Sequence, residues 1–404
     1  MQRADQQPRL ANTTSSLRKV PRTVWVLGFV SLLMDVSSEL IHSLLPLFLV
    51  TTLGASALEV GVIEGIATST ALIMKVFSGA LSDYLGKRKG LALFGYGLAA
   101  LTKPFFALAT TIDAVLAARL VDRIGKGVRG APRDALIADV TPSDARGAAF
   151  GLRHALDATG AMLGPLLGVG FMVLWADHFR TVFWIATVPA LASVALLALG
   201  LCEPAAKNTT KRTNPVRKEN LKRLAWPYWW VVGIGVVFAL ARFSAAFLIL
   251  KAQQSGIAIA FAPLAVVVMS LAFSLSAYPF GKLSDRGHNK WLLAAGLSTL
   301  IVADLLLAIG NDWRVVFFGA LLWGVHFGMT QGLLGALVAH AVPADLRGTA
   351  YGFFNLAYGI ASLFASVLAG FLWSTFGAPY TFLAGAAFGL IALIGMAGAP
   401  QLDP

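Results

Sequence analysis

The sequence predicts an all-α membrane protein of twelve transmembrane helices in two pseudo-symmetric six-helix bundles, and three observations predict it. Of its 404 residues 57% are apolar and only 13% charged, whereas a soluble domain carries about 25% charged residues. Twelve apolar stretches follow one another, each long enough for the ~20 residues that cross a hydrocarbon core. Two short motifs recur in the second half at nearly one offset.

The stretches begin near Val24, Val60, Leu91, Ala114, Gly147, Thr181, Tyr228, Ile257, Trp291, Val315, Thr349 and Pro379. An even number of spans puts both termini on one side, and basic residues choose the side. Twenty Lys and Arg residues fall in the N-tail and the even-numbered loops, against Arg180, Lys251 and Arg314 on the opposite side. The reading is therefore a multi-pass protein of the inner (plasma) membrane with both termini cytoplasmic.

The resulting organisation is a cytoplasmic N-tail at 1–22, a first bundle at 23–201, a linker at 202–227, a second bundle at 228–398 and a C-tail at 399–404. The linker carries seven basic residues between Lys207 and Arg223; positive-inside bias accounts for them, and a phosphoinositide-binding arm is the alternative. The apolar run after the N-tail is too long for a signal-peptide core, so the tail is read as retained.

The net charge of +12 raises the question of nucleic acid, but the basic residues follow the loops and no nucleic-acid motif accompanies them. A single cysteine, Cys202, excludes an internal disulfide or a thiolate cluster and reads as a spectator. His42, His154, His326 and His340 are too scattered for a metal site, and no Ser-His-Asp or phosphate-loop pattern is present, so neither an enzyme, a metal nor a cofactor is expected.

Duplication is visible in the residues. Pro142–Gly151 matches Pro343–Gly352 at six of ten positions with an offset of 201, and Gly79–Asp83 matches Gly281–Asp285 at four of five with an offset of 202. Transporters are commonly built from such repeats.

The loop after the second span, Gly79-Ala-Leu-Ser-Asp83-Tyr-Leu-Gly86-Lys87-Arg88, resembles the signature loop of the major facilitator superfamily, with Tyr84 where a basic residue is usual. The resemblance covers the whole chain and implies alternating access by two bundles. It assigns Gly79, Asp83, Gly86, Lys87 and Arg88, with their copy Gly281, Asp285 and Arg286, to a cytoplasmic latch; a plain solvated turn is the alternative. In the fifth span Gly160, Gly164, Pro165 and Gly168 are similar to the hinge motif of the family's proton-coupled exporters, and also fit a small-residue packing seam. In the fourth span Arg119-Leu-Val-Asp122-Arg123 resembles the family's Arg-x-x-Gln-Gly pattern, departing from it at Asp122 and Arg123.

Ionisable groups inside a bilayer cost about 2.5–3.5 kcal/mol on insertion scales, so each is a functional candidate. Asp35, Glu39 and His42 share one face of the first span. Two carboxylates and an imidazole so placed can exchange protons, and with Asp157 they are the predicted coupling groups. Pinning the first helix against a neighbour is the alternative.

In the fourth span Arg119, Arg123, Lys126, Arg129 and Arg133 fall within an arc of about 120° that also contains Asp122. They read as a cationic rail for an anionic substrate, or, for Arg129 and Arg133, as a gate pairing with Asp134, Asp139 and Asp144. Arg119, Arg123, Arg153, His154, Arg242, Gln331 and Asn355 are the predicted substrate contacts, with His326 and Tyr358 also candidates. Glu64 and Lys103 are lone charges that could pair across the cavity, and Asp304 is alone in the ninth span.

The expected function is secondary transport of a small organic solute, with protons as coupling ion and the lipid bilayer as surroundings: an exporter of an anionic or carboxylate-bearing compound. An importer or facilitator of an anionic metabolite or a metal chelate such as a carboxylate siderophore is the alternative within transport, and a non-transporting membrane sensor the alternative outside it.

Overall fold

The computed structural model describes residues 20–85, 88–142, 145–175, 178–201, 224, 226–284, 289–343 and 346–397. The helices are α1 (Arg22–Leu47), α2 (Ala57–Leu85), α3 (Arg88–Leu108), α4 (Ile112–Val140), α5 (Arg146–Leu174) and α6 (Phe179–Gly200). They continue as α7 (Trp226–Ala241, resuming at Ala246–Gln254), α8 (Leu264–Ser284), α9 (Asn289–Ile309), α10 (Trp313–His340), α11 (Arg347–Phe376) and α12 (Ala378–Ala397). Among the described residues eleven of these segments are long and apolar enough to cross a membrane. The twelfth, α4, is 29 residues long and fails that test through its charges, yet it is packed between α2 and α3. Its charged arc is thus turned away from lipid.

The packing repeats with a period of six helices. In the first half α1 lies on α5 and α6, α3 on α4 and α6, and α2 on α4; in the second, α7 lies on α11 and α12, α9 on α10 and α12, and α8 on α10. The halves meet through α2 on α11 and, less extensively, α5 on α8. Lipid tails supply no hydrophobic drive between helices, so close approach of backbones and interhelical hydrogen bonds must hold them. Ser37 Oγ donates to the carbonyl of Ala186 at 2.6 Å and Ser193 Oγ to that of Val30 at 2.7 Å, tying α1 to α6. Along the α2–α11 seam a methyl added at Gly65 would stand 2.9 Å from the Leu363 carbonyl oxygen, and one at Gly370 2.5 Å from that of Ala57.

The buried apolar residues say where the molecule is closed. At the end bearing the odd-numbered loops one continuous core draws on both halves, from Leu40–Leu49, Phe106 and Phe183 to Phe243–Leu250, Trp323, Trp373 and Phe382. At the other end there are two separate cores: Val24, Tyr96, Leu136 and Leu197 within the first half, and Tyr228, Leu293, Leu337 and Phe354 within the second. The molecule is therefore joined at one end and split at the other.

Two local irregularities shape the interior. Pro46 in α1 cannot donate to the carbonyl of His42, and the helix continues as a π-turn at Phe48–Thr52. At 242–245 α7 breaks, and the amide of Ala246, where the helix resumes, donates to Ser244 Oγ at 3.2 Å.

Candidate functional site

The charges of α1–α5 form a ladder of pairs running down the first half from the joined end towards the split. Nearest the joined end Arg119 donates from one nitrogen to both carboxylate oxygens of Glu64, at 2.7 and 2.9 Å. Ser244, in the α7 break, donates to the same carboxylate at 3.2 Å, so Glu64 is held from both halves.

Next, Lys103 reaches Asp122 at 2.8 Å and Ser38 at 3.0 Å; both charged side chains are nearly inaccessible, at 0% and 2%. His42 lies between two acids, 3.4 Å from Asp122 and 3.6 Å from Glu39, and Arg123 points a nitrogen at its ring from 2.6 Å. Lower down Arg129 stands 3.7 Å from Asp35 and packs over the Tyr96 ring. Arg133 meets Asp134 at 3.1 Å, Asp157 at 3.8 Å and Ser31 at 2.8 Å, while Arg153 takes Asp157 at 2.9 Å. At the split end Arg88 pairs with Asp139.

Buried ions survive in low dielectric only when paired and hydrogen-bonded, and the ladder shows the pairing nearly complete. Apart from the Arg88–Asp139 pair at its end, its cations are Lys103, Arg119, Arg123, Lys126, Arg129, Arg133 and Arg153; its anions are Asp35, Glu39, Glu64, Asp122, Asp134 and Asp157. The cation left over is Lys126. It forms no ion pair among the described residues, with Glu39 and Asp35 beside it only at longer range, and it is half-buried. The carboxylates of this set with most access to water are Asp134, Glu39, Asp157 and Asp35, at 31%, 27%, 22% and 16%.

Several expectations are thereby resolved. Asp35 and His42 both meet α4, at Arg129 and at Asp122 and Arg123, with Glu39 beside His42, and Asp157 reaches α4 from α5 through Arg133. The proposed Glu64–Lys103 pair is not formed: each is taken by a residue of α4, Arg119 and Asp122 respectively, because α4 lies between α2 and α3. Arg119 and Arg123 face acids and an imidazole of the protein itself. Arg129 and Arg133 pair with Asp35, Asp134 and Asp157, and only Asp134 was among the acids expected for a gate. His154 is exposed beside Arg153.

Gly160 and Gly164 press α5 onto α1: a methyl on either would lie within 3 Å of the Leu32 or Val36 carbonyl oxygen, next to Asp35 and Glu39. Gly79 lies near Ala131 of α4 and Gly281 in the last turn of α8. Gly86, Lys87, Asp285, Arg286, the Asp83 side chain, Asp144 and Cys202 lie outside the described residues.

The second half is built differently. Arg242, at the α7 break, stacks over Phe327 at 3.8 Å and near Phe238 at 5.2 Å, with no carboxylate partner among the described residues. His326 faces the Gly296 carbonyl oxygen at 2.7 Å through Nδ1, which therefore carries the proton, and its ring stacks on Phe238. Asn355 and Tyr358 are half-buried on α11, and Gln331 is exposed on α10.

Asp304 is wholly buried and accepts a bond from Trp323 Nε1 at 2.8 Å; its other oxygen has no hydrogen-bond partner among the described residues and fills the space left by Gly385. Trp323→Phe is expected to remove that donor and lower stability by about 1–3 kcal/mol, which thermal unfolding in detergent would read. Spacing in the sequence could not have found this pair, because the two residues sit on different helices. No cluster able to hold a metal is present among the described residues.

Comparison with known proteins agrees with this architecture. The profile of the Major Facilitator Superfamily matches residues 27–252 and 231–401. The chain belongs to that superfamily. Among its relatives an MFS-type transporter of Methanocaldococcus jannaschii is 31% identical over 381 residues, covering 93% of this chain and 94% of the relative. The quinolone resistance protein NorA of Staphylococcus aureus is 21% identical over 358 residues, 87% of this chain and 90% of NorA. A bacterial homologue of the human lysosomal transporter Spinster, crystallised inward-facing and unoccupied, superposes with a TM-score of 0.78 at 14% identity over 95% of this chain and 98% of that one. This facilitator is thus a multi-pass membrane transporter of small solutes, not an enzyme.

Proposed function

We propose that this facilitator is a proton-coupled exporter of a small organic anion in the plasma membrane, both termini cytoplasmic, with the six-helix units 23–201 and 228–398 rocking about the charged ladder. The observation that carries the anionic substrate is the pairing pattern. The buried cations of α3 and α4 are committed to carboxylates or to His42, whereas Lys126 and Arg242 are half-buried and have no ion pair among the described residues. An unpaired cation within a membrane protein is costly unless water or a ligand attends it.

Proton coupling rests on Asp35, Glu39 and Asp157, acids with access to the split cavity, and on His42 bridging Glu39 to Asp122. Each acid lies beside a basic group that its protonation would release. Basic loop residues put the split end in the cytoplasm, where a solute for export would enter. The likeness to a quinolone resistance protein supports the outward direction.

In proteoliposomes loaded with an acidic lumen, uptake of radiolabelled glutarate is expected to exceed that in protein-free liposomes by about tenfold and to collapse with a protonophore. Glu39→Gln is expected to abolish the dependence on the gradient while leaving exchange of label across the membrane. Uptake indifferent to the gradient in the parent protein contradicts the coupling.

A further inference from the structure

We infer that the solute carries two separated negative groups, one held by Lys126 of the first half and the other by Arg242 of the second. The inference deepens the anionic reading above and rests on it.

The argument begins with charge balance. In the first half the seven cations and six carboxylates of the ladder leave one positive charge, and Lys126 is the member without an ion pair. In the second half Arg242 has no acid to answer it among the described residues. Asp304, the buried carboxyl of α9, is boxed by Trp323, Phe243 and Gly385 instead. A solute with a single negative group would satisfy one half and leave the other cation bare in a closing, low-dielectric cavity.

Position supports the same conclusion. Lys126 belongs to the arc of α4 that faces α1 and its acids. Arg242 opens the α7 break, two residues before Ser244, which bonds Glu64 of the first half. Arg242 therefore borders the division between the halves, while Lys126 lies on the α1-facing side of α4, about two turns towards the split end from Arg119, which holds Glu64 with Ser244. Stacking on Phe327 fixes the plane of the Arg242 guanidinium; its Nε is buried without a hydrogen-bond partner, so the terminal nitrogens are the donors left for a carboxylate. A dianion spanning the two would cancel both charges and draw the halves together.

The test uses purified full-length protein in detergent and a series of α,ω-dicarboxylates from succinate to suberate, each with its monomethyl and dimethyl ester. Affinity is read from the concentration dependence of the melting temperature. At least one diacid is expected to bind about tenfold tighter than its monoester, as a charge-assisted contact of ~1.4 kcal/mol requires. Lys126→Met and Arg242→Met are each expected to erase that difference, and Lys126→Arg to keep it.

Equal binding of diacid and monoester throughout the series overturns the inference but leaves the anionic site standing. Dimethyl esters binding as well as the diacids overturn both. No binding by any member at millimolar concentration, or a preference that survives both methionine variants, also overturns the two-charge site.

Discussion

Asp122→Leu is expected to destabilise the folded protein by about 3–5 kcal/mol, the cost of leaving a buried charge without its partner. Lys103 is fully inaccessible, and among the described residues it has, apart from Asp122, only the Ser38 hydroxyl, at 3.0 Å. Once the carboxylate is gone, the ammonium cannot reach water from its place between α3 and α4. His42 and Arg123 also lose an acid, at 3.4 and 3.5 Å. The double variant Asp122→Leu/Lys103→Met should regain most of the loss, because removing both charges of a buried pair is often close to neutral. Thermal unfolding in detergent separates the cases, and equal loss in the single and double variants would mean that packing, not charge, is what Asp122 supplies.

The second large effect is expected at the seam between α2 and α11. Gly370→Leu cannot be accommodated while the joined end is closed, since even a methyl there would stand 2.5 Å from the Ala57 carbonyl oxygen and 2.9 Å from Leu58 Cα. Overpacking of this kind costs about 1–3 kcal/mol, but the cost falls on the conformer closed at that end and not on one open there. The population should move to the opposite access state, and transport should fall by more than about tenfold, the equivalent of ~1.4 kcal/mol. Gly170→Leu on α5 has open space and should leave transport unchanged. Labelling of a cysteine at Ser374 by an impermeant reagent from the odd-loop side should rise in Gly370→Leu; unchanged labelling would show that the seam yields without opening.

Much of this could be read from the sequence because the bilayer imposes simple rules. Hydropathy set out the spans, the repeated Pro142 and Pro343 segments announced the two halves, and even the charged α4 was recognisable, since its arginines fall on one arc. What escaped was the choice of partners. Spacing within one helix says which residues share a face, but not which face of a neighbour they meet; Lys103 was therefore set against Glu64, and Asp122 emerged as its partner only once α4 was seen between α2 and α3. The break in α7 has neither Gly nor Pro among residues 242–245, the usual punctuation of a helix, so nothing marked Ser244 as a bridge to Glu64. The cationic rail was legible as a row of charges, yet its near-neutral balance needed the acids of α1, α2 and α5 to be placed against it.

The central claim is that these charges face a watery cavity open to the cytoplasm. In a Cys202→Ser background, Lys126→Cys should react with a membrane-impermeant maleimide in inside-out vesicles and resist it in right-side-out ones. Reaction only with lipid-soluble reagents, or from the outer side alone, would contradict the account.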